Sequence, residues 1–409
     1  MARGGVTLNL MPVAEALQRV LADAKPLPAE MAPLADALGR VLTEDVSALR
    51  TQPPAAVSAM DGYAVRGSDI AHTPVTLKLI GEVAAGHPFE GSVGPGEAAR
   101  IFTGGVMPEG SDTVVIQELV TSDGQTVSIQ KSAAKGRNVR AQGIDFANGQ
   151  LLLRKGTRLS GRDLMLAAAM NYPGLRVHRQ PKVAVLGTGD ELVSPGSKLG
   201  LGEIVYSNGF ALTALARSEG GTVLDLGIAR DRIEDITAGV RRARKWGADV
   251  LVTTGGASVG EHDLVQRALA SEGLDLSFWR VALRPGRPMM HGRLGGMQVL
   301  GLPGNPVSSY VCAYLFLVPL IRRLAGRHDF EHTPARAQLG RDLPANDERA
   351  DYLRATLEDG PDGPVATPLP DQDSSLMAPL AKAGCLLIRE PRAPAASAGS
   401  DCVILKLGL

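Results

Sequence analysis

Cysteine is scarce in this sequence: 409 residues hold three, Cys312, Cys385 and Cys402, and no two form a CxxC pair. So sparse and odd a set excludes a disulfide framework and a zinc ribbon and fits a reducing compartment. The histidines form no HxH or HExxH cluster, which leaves a histidine metal site without support. Net charge is absent too. Lys+Arg and Asp+Glu are both 43, so there is no one-signed field to coat a nucleic acid or hold a polybasic contact with a membrane. Any phosphate site must be local. Long apolar runs are also missing: the longest, Tyr310 to Ile321, contains Pro319 and falls short of the about 20 residues of a bilayer span. The opening segment is interrupted by Glu15 and Arg19 and does not read as a signal peptide. A soluble, cytoplasmic protein is expected. No GxxxxGK[ST] phosphate loop occurs. Gly187-x-Gly189 lacks the third glycine of a dinucleotide fold, and no Ser/His/Asp triad can be argued.

What is present suggests several domains, since a domain averages roughly 150 residues, and 44% hydrophobic residues suffice for their cores. Leu10, Val13, Leu17, Val20 and Leu21 fall at helical spacing over 8–24, and a second helix is expected over 29–40. Pro53-Pro54 breaks that pattern. Short strands separated by Gly/Pro/Asp turns follow from 75 to 130, a small all-β unit. A helix is expected over 161–170. From 181 to 325 strands rich in Val and Leu alternate with amphipathic helices. That pattern implies a parallel sheet covered on both faces, with ligands beyond the carboxyl ends of its strands. Asp231 and Glu234 resemble a capping box opening a helix at 232, and Asn305-Pro306 reads as an N-cap followed by proline. After Pro334 the segments ARAQLGRDL, YLRATLE, CLLIRE and CVILKL read as a second all-β unit, right for a small barrel.

The loops after the parallel strands share one chemistry. They are Gly187 to Glu191, Ala229 to Asp231, Thr253 to Gly260 with Asp263 beyond, and Leu302 to Ser309. Glycines let backbone N–H groups approach an anion, and the helix behind adds its dipole. Asp190, Glu191, Asp231 and Asp263 would repel a phosphate unless a divalent cation such as Mg²⁺ intervened. The plainer reading makes Asp231 a helix cap and Glu191 a solvated charge. Arg284-Pro285-Gly286-Arg287-Pro288 is a stiff turn with two guanidinium groups for one oxyanion; the plainer reading is two surface arginines. Outside this domain, Ser58 to Ala64 around Asp61, Phe102-Thr103-Gly104-Gly105, and Arg140 to Asp145 are glycine turns with a polar group, which alone prove no catalysis.

Taken together, SAMDGYA (58–64), RIFTGGVMPEGSDTVV (100–115), NVRAQGIDF (138–146), TGDEL (188–192), YSNG (206–209), TTGGASVGEHD (253–263), RPGRP (284–288) and GLPGNPVSS (301–309) resemble the MoeA, or molybdopterin molybdenumtransferase, family. That family is itself similar to the C-terminal domain of gephyrin. The resemblance implies a multidomain α/β plus β fold and an L-shaped homodimer of four-domain subunits. It divides the chain into an elongated helical and extended linking and dimerisation domain (1–50 with 139–180) and an all-β domain carrying SAMDGYA (51–138). A MogA-like, molybdopterin-binding α/β domain (181–328) and a C-terminal β-barrel (329–409) follow. It implies Mg²⁺-dependent cleavage of adenylylated molybdopterin, with insertion of molybdate, to give molybdenum cofactor and AMP. Gly255, Gly256, Ser258, Gly260, Pro303, Gly304, Asn305 and Ser308 would hold the pterin phosphate and dithiolene end. Asp190, Glu191, Asp231 and Asp263 would serve the metal. Arg284, Arg287, Arg354 and Ser374 or Ser375 would receive molybdate. Asp61 and Thr103 would complete the partner subunit's site, and Asp145 joins them and the sheet-edge acids Glu191, Asp231 and Asp263 as catalytic. The family often has KPGKP where this chain has RPGRP, which keeps the charge. No second, MogA-like domain is present, so adenylylation is expected from a separate protein, with molybdoenzymes downstream. The competing readings are an adenylyltransferase-like molybdopterin enzyme and a catalytically idle scaffold of the same fold.

Overall fold

The computed structural model describes residues 10–255 and 264–408. The chain forms two compact units: residues up to Glu30 with Gly39–Val41 and everything from Val177, and a second made of Met31–Leu38 and Leu42–Arg176.

The first unit contains the α/β layer. Its elements are β1 (Lys182–Thr188), α1 (Asn208–Ser218), β2 (Thr222–Ala229), α2 (Ile233–Trp246), β3 (Val250–Thr254), α3 (Leu264–Ser271), β4 (Asp275–Trp279), β5 (Met290–Leu294) and β6 (Met297–Leu302). The sheet order is β2-β1-β3-β6-β5-β4. The first four strands are parallel, and β5 and β4 close one edge antiparallel. Side chains alternate between the faces of a strand, and the core divides accordingly. Val183, Val185, Val250, Val252, Leu300 and Leu302 face one cluster with Leu212 and Ala216 of α1. Ala184, Leu186, Leu251 and Val299 face the other with Ile236 and Val240 of α2 and Val265 and Leu269 of α3. The register Gly187↔Thr254↔Leu302, with Thr188↔Ala229, brings the carboxyl ends of all four parallel strands level.

After β6 a helical segment of 19 residues, Pro306–Leu324, crosses the core. It is longer than the apolar run and long and apolar enough to cross a bilayer, yet 83% of its most apolar stretch is buried inside the molecule, as in a core helix. A π-turn at Ala313–Leu317 precedes Pro319. The wider turn accommodates a residue with no N–H to donate and a ring that would clash four residues back.

The C-terminal strands β7 (Ala335–Leu339), β8 (Ala350–Gly360), β9 (Gly363–Pro368), β10 (Cys385–Arg389) and β11 (Asp401–Lys406) close in the order β8-β9-β7-β11-β10 and back to β8. Small side chains fill this narrow barrel: Ala337, Ala355, Ala366 and Cys385 beside Leu339, Leu387 and Ile404. Leu283–Arg284 runs parallel to Ala350–Asp351 at the start of β8, so the RPGRP turn is stitched to the barrel.

The second unit carries a six-stranded sheet in the order 113–116, 62–65, 97–101, 75–83, 126–129, 120–122, and the helix Gly161–Ala169. The helix expected over 29–40 does not form. Ala29–Pro33 is extended and Leu34–Asp36 is a single 3-10 turn. Pro33 has no N–H for a helix and pushes Ala32 toward extended backbone. The capping box expected at Asp231 is also absent: α2 opens at Arg232 without a side-chain cap.

Candidate functional site

Backbone geometry at the sheet edge selects glycine. Gly255 follows β3 with φ +92°, and a Cβ there would lie 2.3 Å from the Thr188 carbonyl oxygen. The loop after β6 runs beside it. Asn208 Nδ2 donates to the Gly304 carbonyl at 2.8 Å. Asn305 Nδ2 donates to Ser374 Oγ at 2.8 Å, and the Val307 N–H donates to the Ser374 carbonyl at 3.1 Å. Asn305 therefore sits at the N-cap position without a side-chain capping bond; its amide joins the loop to the barrel instead.

A cleft of about 480 Å³ opens where these parts meet. Its walls bring together Glu191, Gly255, Arg284, Arg287, Pro303, Gly304, Asn305, Ser308 and Ser374, all expected, and Arg349, which no motif marked. Gly286, at the tip of the RPGRP turn, has φ +121°, and a Cβ there would lie 2.4 Å from the buried Cys312 Sγ. A second cavity of about 710 Å³ shares Glu191, Gly255, Gly304 and Asn305 with the cleft. Its outer wall is apolar, with Leu192, Leu199, Ile204, Val205 and Tyr206. The Tyr206 hydroxyl donates to Asp225 Oδ1 at 3.4 Å, and burial pushes its phenol well above the ordinary range. One wall thus suits a tetrahedral anion and the neighbouring one a flat ring.

The cations of the cleft are not equivalent. Arg284 Nε donates to Asp351 Oδ1 at 2.6 Å, and Nη2 donates to Asp351 Oδ2 as well. Its Nη1 reaches Asp347 Oδ2 at 3.1 Å and its Nη2 reaches Asn346 at 3.1 Å. The Asp351 hydrogen bond raises the pKa of Arg284. Every guanidinium nitrogen of Arg284, which lines the cleft as expected, thus already has a protein acceptor. Arg287 is exposed and has no side-chain hydrogen bond or ion pair among the described residues. Arg349 Nη2 donates to Asp347 Oδ2 at 3.0 Å. The Arg349 bonds hold the Asp347 carboxyl below its usual value.

Arg354 lies behind the cleft wall. It is 1% exposed and donates to the carbonyls of Asp373 at 2.8 Å and Asp371 at 3.2 Å, and to Gln372 Oε1 at 3.3 Å. It does not line the cleft; it anchors the loop that delivers Ser374. Ser375 lies in the wall of the second cavity, with its hydroxyl donating to Asp373 at 2.7 Å. Asp190 and Asp231 meet each other rather than the cleft: the Asp231 N–H donates to Asp190 Oδ1 at 3.2 Å. Asp61, Thr103 and Asp145 belong to the other unit. There Asp61 Oδ1 accepts from both the N–H and the hydroxyl of Thr103 at 2.7 Å, and these bonds lower its pKa. Gly256, Ser258, Gly260 and Asp263 lie outside the described residues.

Among the described residues no three His, Cys, Asp or Glu side chains converge on a metal position. Glu191 does face the cleft, and among the described residues its carboxylate has no hydrogen-bond or ion-pair partner. Mg²⁺ is commonly held by one or two carboxylates plus substrate phosphate oxygens and water, a donor set that Glu191 fits. His328 and His332 do have the Hx3H spacing, contrary to the expectation that no such pair occurs, but His332 Nε2 lies 2.6 Å from the Tyr314 carbonyl, and its ring stacks on Tyr314.

Three family models match successive parts of the chain. Residues 11–171 match the MoeA N-terminal region (domain I and II), 184–323 a probable molybdopterin binding domain, and 336–407 the MoeA C-terminal region (domain IV). The chain is 34% identical to the molybdopterin molybdenumtransferase of Haemophilus influenzae over 93% of its length and 94% of that protein's. It is 34% identical to the Bacillus subtilis protein of the same name, over 92% and 90%. A crystal structure of a molybdopterin biosynthesis MoeA protein from Pyrococcus horikoshii superposes with a TM-score of 0.82 at 32% identity, covering 98% of this chain and 100% of that one.

Proposed function

The chain belongs to the MoeA family of molybdopterin molybdenumtransferases, and from that premise we propose that it cleaves adenylylated molybdopterin and inserts molybdate, releasing molybdenum cofactor and AMP. The observation that carries this reading is the cleft in which the Gly255 turn, the Pro303–Asn305 loop, the RPGRP turn and the barrel residue Ser374 share one wall. In it Arg287 offers N–H donors to a tetrahedral oxyanion, and Ser308 and Ser374 add hydroxyls. The backbone at Gly255 and Gly304 takes the phosphate and dithiolene end of the pterin, together with Gly256, Ser258 and Gly260. The adjoining apolar cavity takes a planar ring.

Mg²⁺ would be held by Glu191, with Asp263 as its second carboxylate, and supplies charge neutralisation at the phosphoanhydride oxygens. Asp61 and Thr103 are assigned to the site of a partner copy in a homodimer, and Asp145 to a catalytic role. Adenylylation falls to a separate MogA-like protein, and the cofactor passes to molybdoenzymes, all in the cytoplasm.

The test is reconstitution. The purified protein, adenylylated molybdopterin, Mg²⁺ and micromolar molybdate are mixed with an apo-molybdoenzyme. Activation that needs both this protein and molybdate is expected, and Glu191→Gln should lose most of it while melting like the parent, since an exposed carboxylate contributes little stability. Activation to the same level without the protein would refute the proposal.

A further inference from the structure

We propose that Arg349, on the barrel side of the cleft, is an oxyanion-binding residue that works with Arg287, and that Asp347 is the internal carboxylate it releases when the anion arrives. The inference rests on the molybdate-inserting reading above and names a residue that reading does not contain. Three arginines line the cleft, and their partners separate their roles. Arg284 is closed: all its guanidinium nitrogens are taken up by Asp351, Asp347 and Asn346. Arg349 makes one side-chain contact, Nη2 to Asp347 Oδ2 at 3.0 Å, on a side chain 29% exposed. Its Nε and Nη1 have no acceptor among the described residues.

Asp347 is the more loosely held acid. It is 44% exposed, against 6% for Asp351, and one of its oxygens serves both Arg284 and Arg349. If Arg349 leaves, Asp347 keeps Arg284 as its counter-ion, so the exchange strands no charge. A doubly negative oxyanion outbids a shared carboxylate for a guanidinium fork. The position of Arg349 is fixed from behind. Its N–H donates to Asp347 Oδ1 at 2.8 Å, and its carbonyl accepts from Asn346 Nδ2 at 2.8 Å. The residue after it, Ala350, pairs with Leu283 beside the RPGRP turn. Backbone pairing thus ties the two open arginines to the same wall.

Calorimetric titration of the full-length protein with molybdate tests this without turnover. Arg349→Ala should weaken binding by about tenfold, the size of a charge-assisted hydrogen bond, with Arg349→Gln close to it. Arg336→Ala, removing the same charge from an exposed barrel position that is 86% exposed, should leave binding unchanged. Asp347→Asn should tighten it. Unchanged affinity in Arg349→Ala and Arg349→Gln, with the parent protein binding normally, would overturn this inference and leave the transferase reading standing. A loss in Asp347→Asn equal to that in Arg349→Ala would show the pair to be a structural unit and would overturn it too. Failure of the parent protein to bind molybdate would overturn both.

Discussion

Arg354 shows how burial sets the task of a charged side chain. At 1% exposure, donating to the carbonyls of Asp371 and Asp373 and to Gln372 Oε1, it faces a ring of carbonyl dipoles, and burial lowers its pKa. Removing it strands buried acceptors, each worth about 1–3 kcal/mol. Arg354→Met should therefore cost roughly 3 kcal/mol in urea denaturation and loosen the loop that presents Ser374. A variant of parental stability would show that the loop does not depend on it. Arg354 can be picked out in the sequence as part of a family resemblance, but which groups surround it is a tertiary fact. Arg349 is illegible for a simpler reason: among many arginines it stands in no motif, and its place follows only from the pairing of β8 with Leu283–Arg284.

The elements divide along similar lines. The parallel strands are readable because continuous Val/Leu runs bounded by glycine have few alternatives, and their register then fixes the cleft-forming loops. The 29–40 segment misleads because apolar spacing outvotes Pro33 until backbone sterics are considered. Strand β9 is not among the four strands expected after Pro334, because Gly363, Pro364 and Pro368 obscure its pattern. Helix caps make this difference measurable. Ser160 and Asp163 form a reciprocal capping box on the helix Gly161–Ala169, whereas Asn305 occupies a cap position without capping. Ser160→Ala should cost about 1 kcal/mol and Asn305→Ala well under half of that, measured as shifts in denaturation midpoint. Because the Asn305–Ser374 bond is exposed, equal losses would contradict the absence of a capping bond at Asn305.

At the scale of the molecule, the cleft depends on a shared core. Ala350, Tyr352, Leu386 and Leu405 of the barrel lie in the same buried cluster as Val185, Val252 and Leu302 of the α/β sheet. Both walls are therefore held by one packed interior that resists small displacements. The sequence conveys the division into α/β and β segments and most of the residues around the cleft, while the balance of charge inside it emerges only from the folded contacts. The central claim is that this chain inserts the metal and does not adenylylate the pterin. The most direct test is AMP release from adenylylated molybdopterin with Mg²⁺, with and without molybdate. Release stimulated by molybdate is predicted. AMP transfer from ATP to molybdopterin would contradict the claim in favour of an adenylyltransferase, and no AMP release under either condition would contradict it in favour of a catalytically idle scaffold.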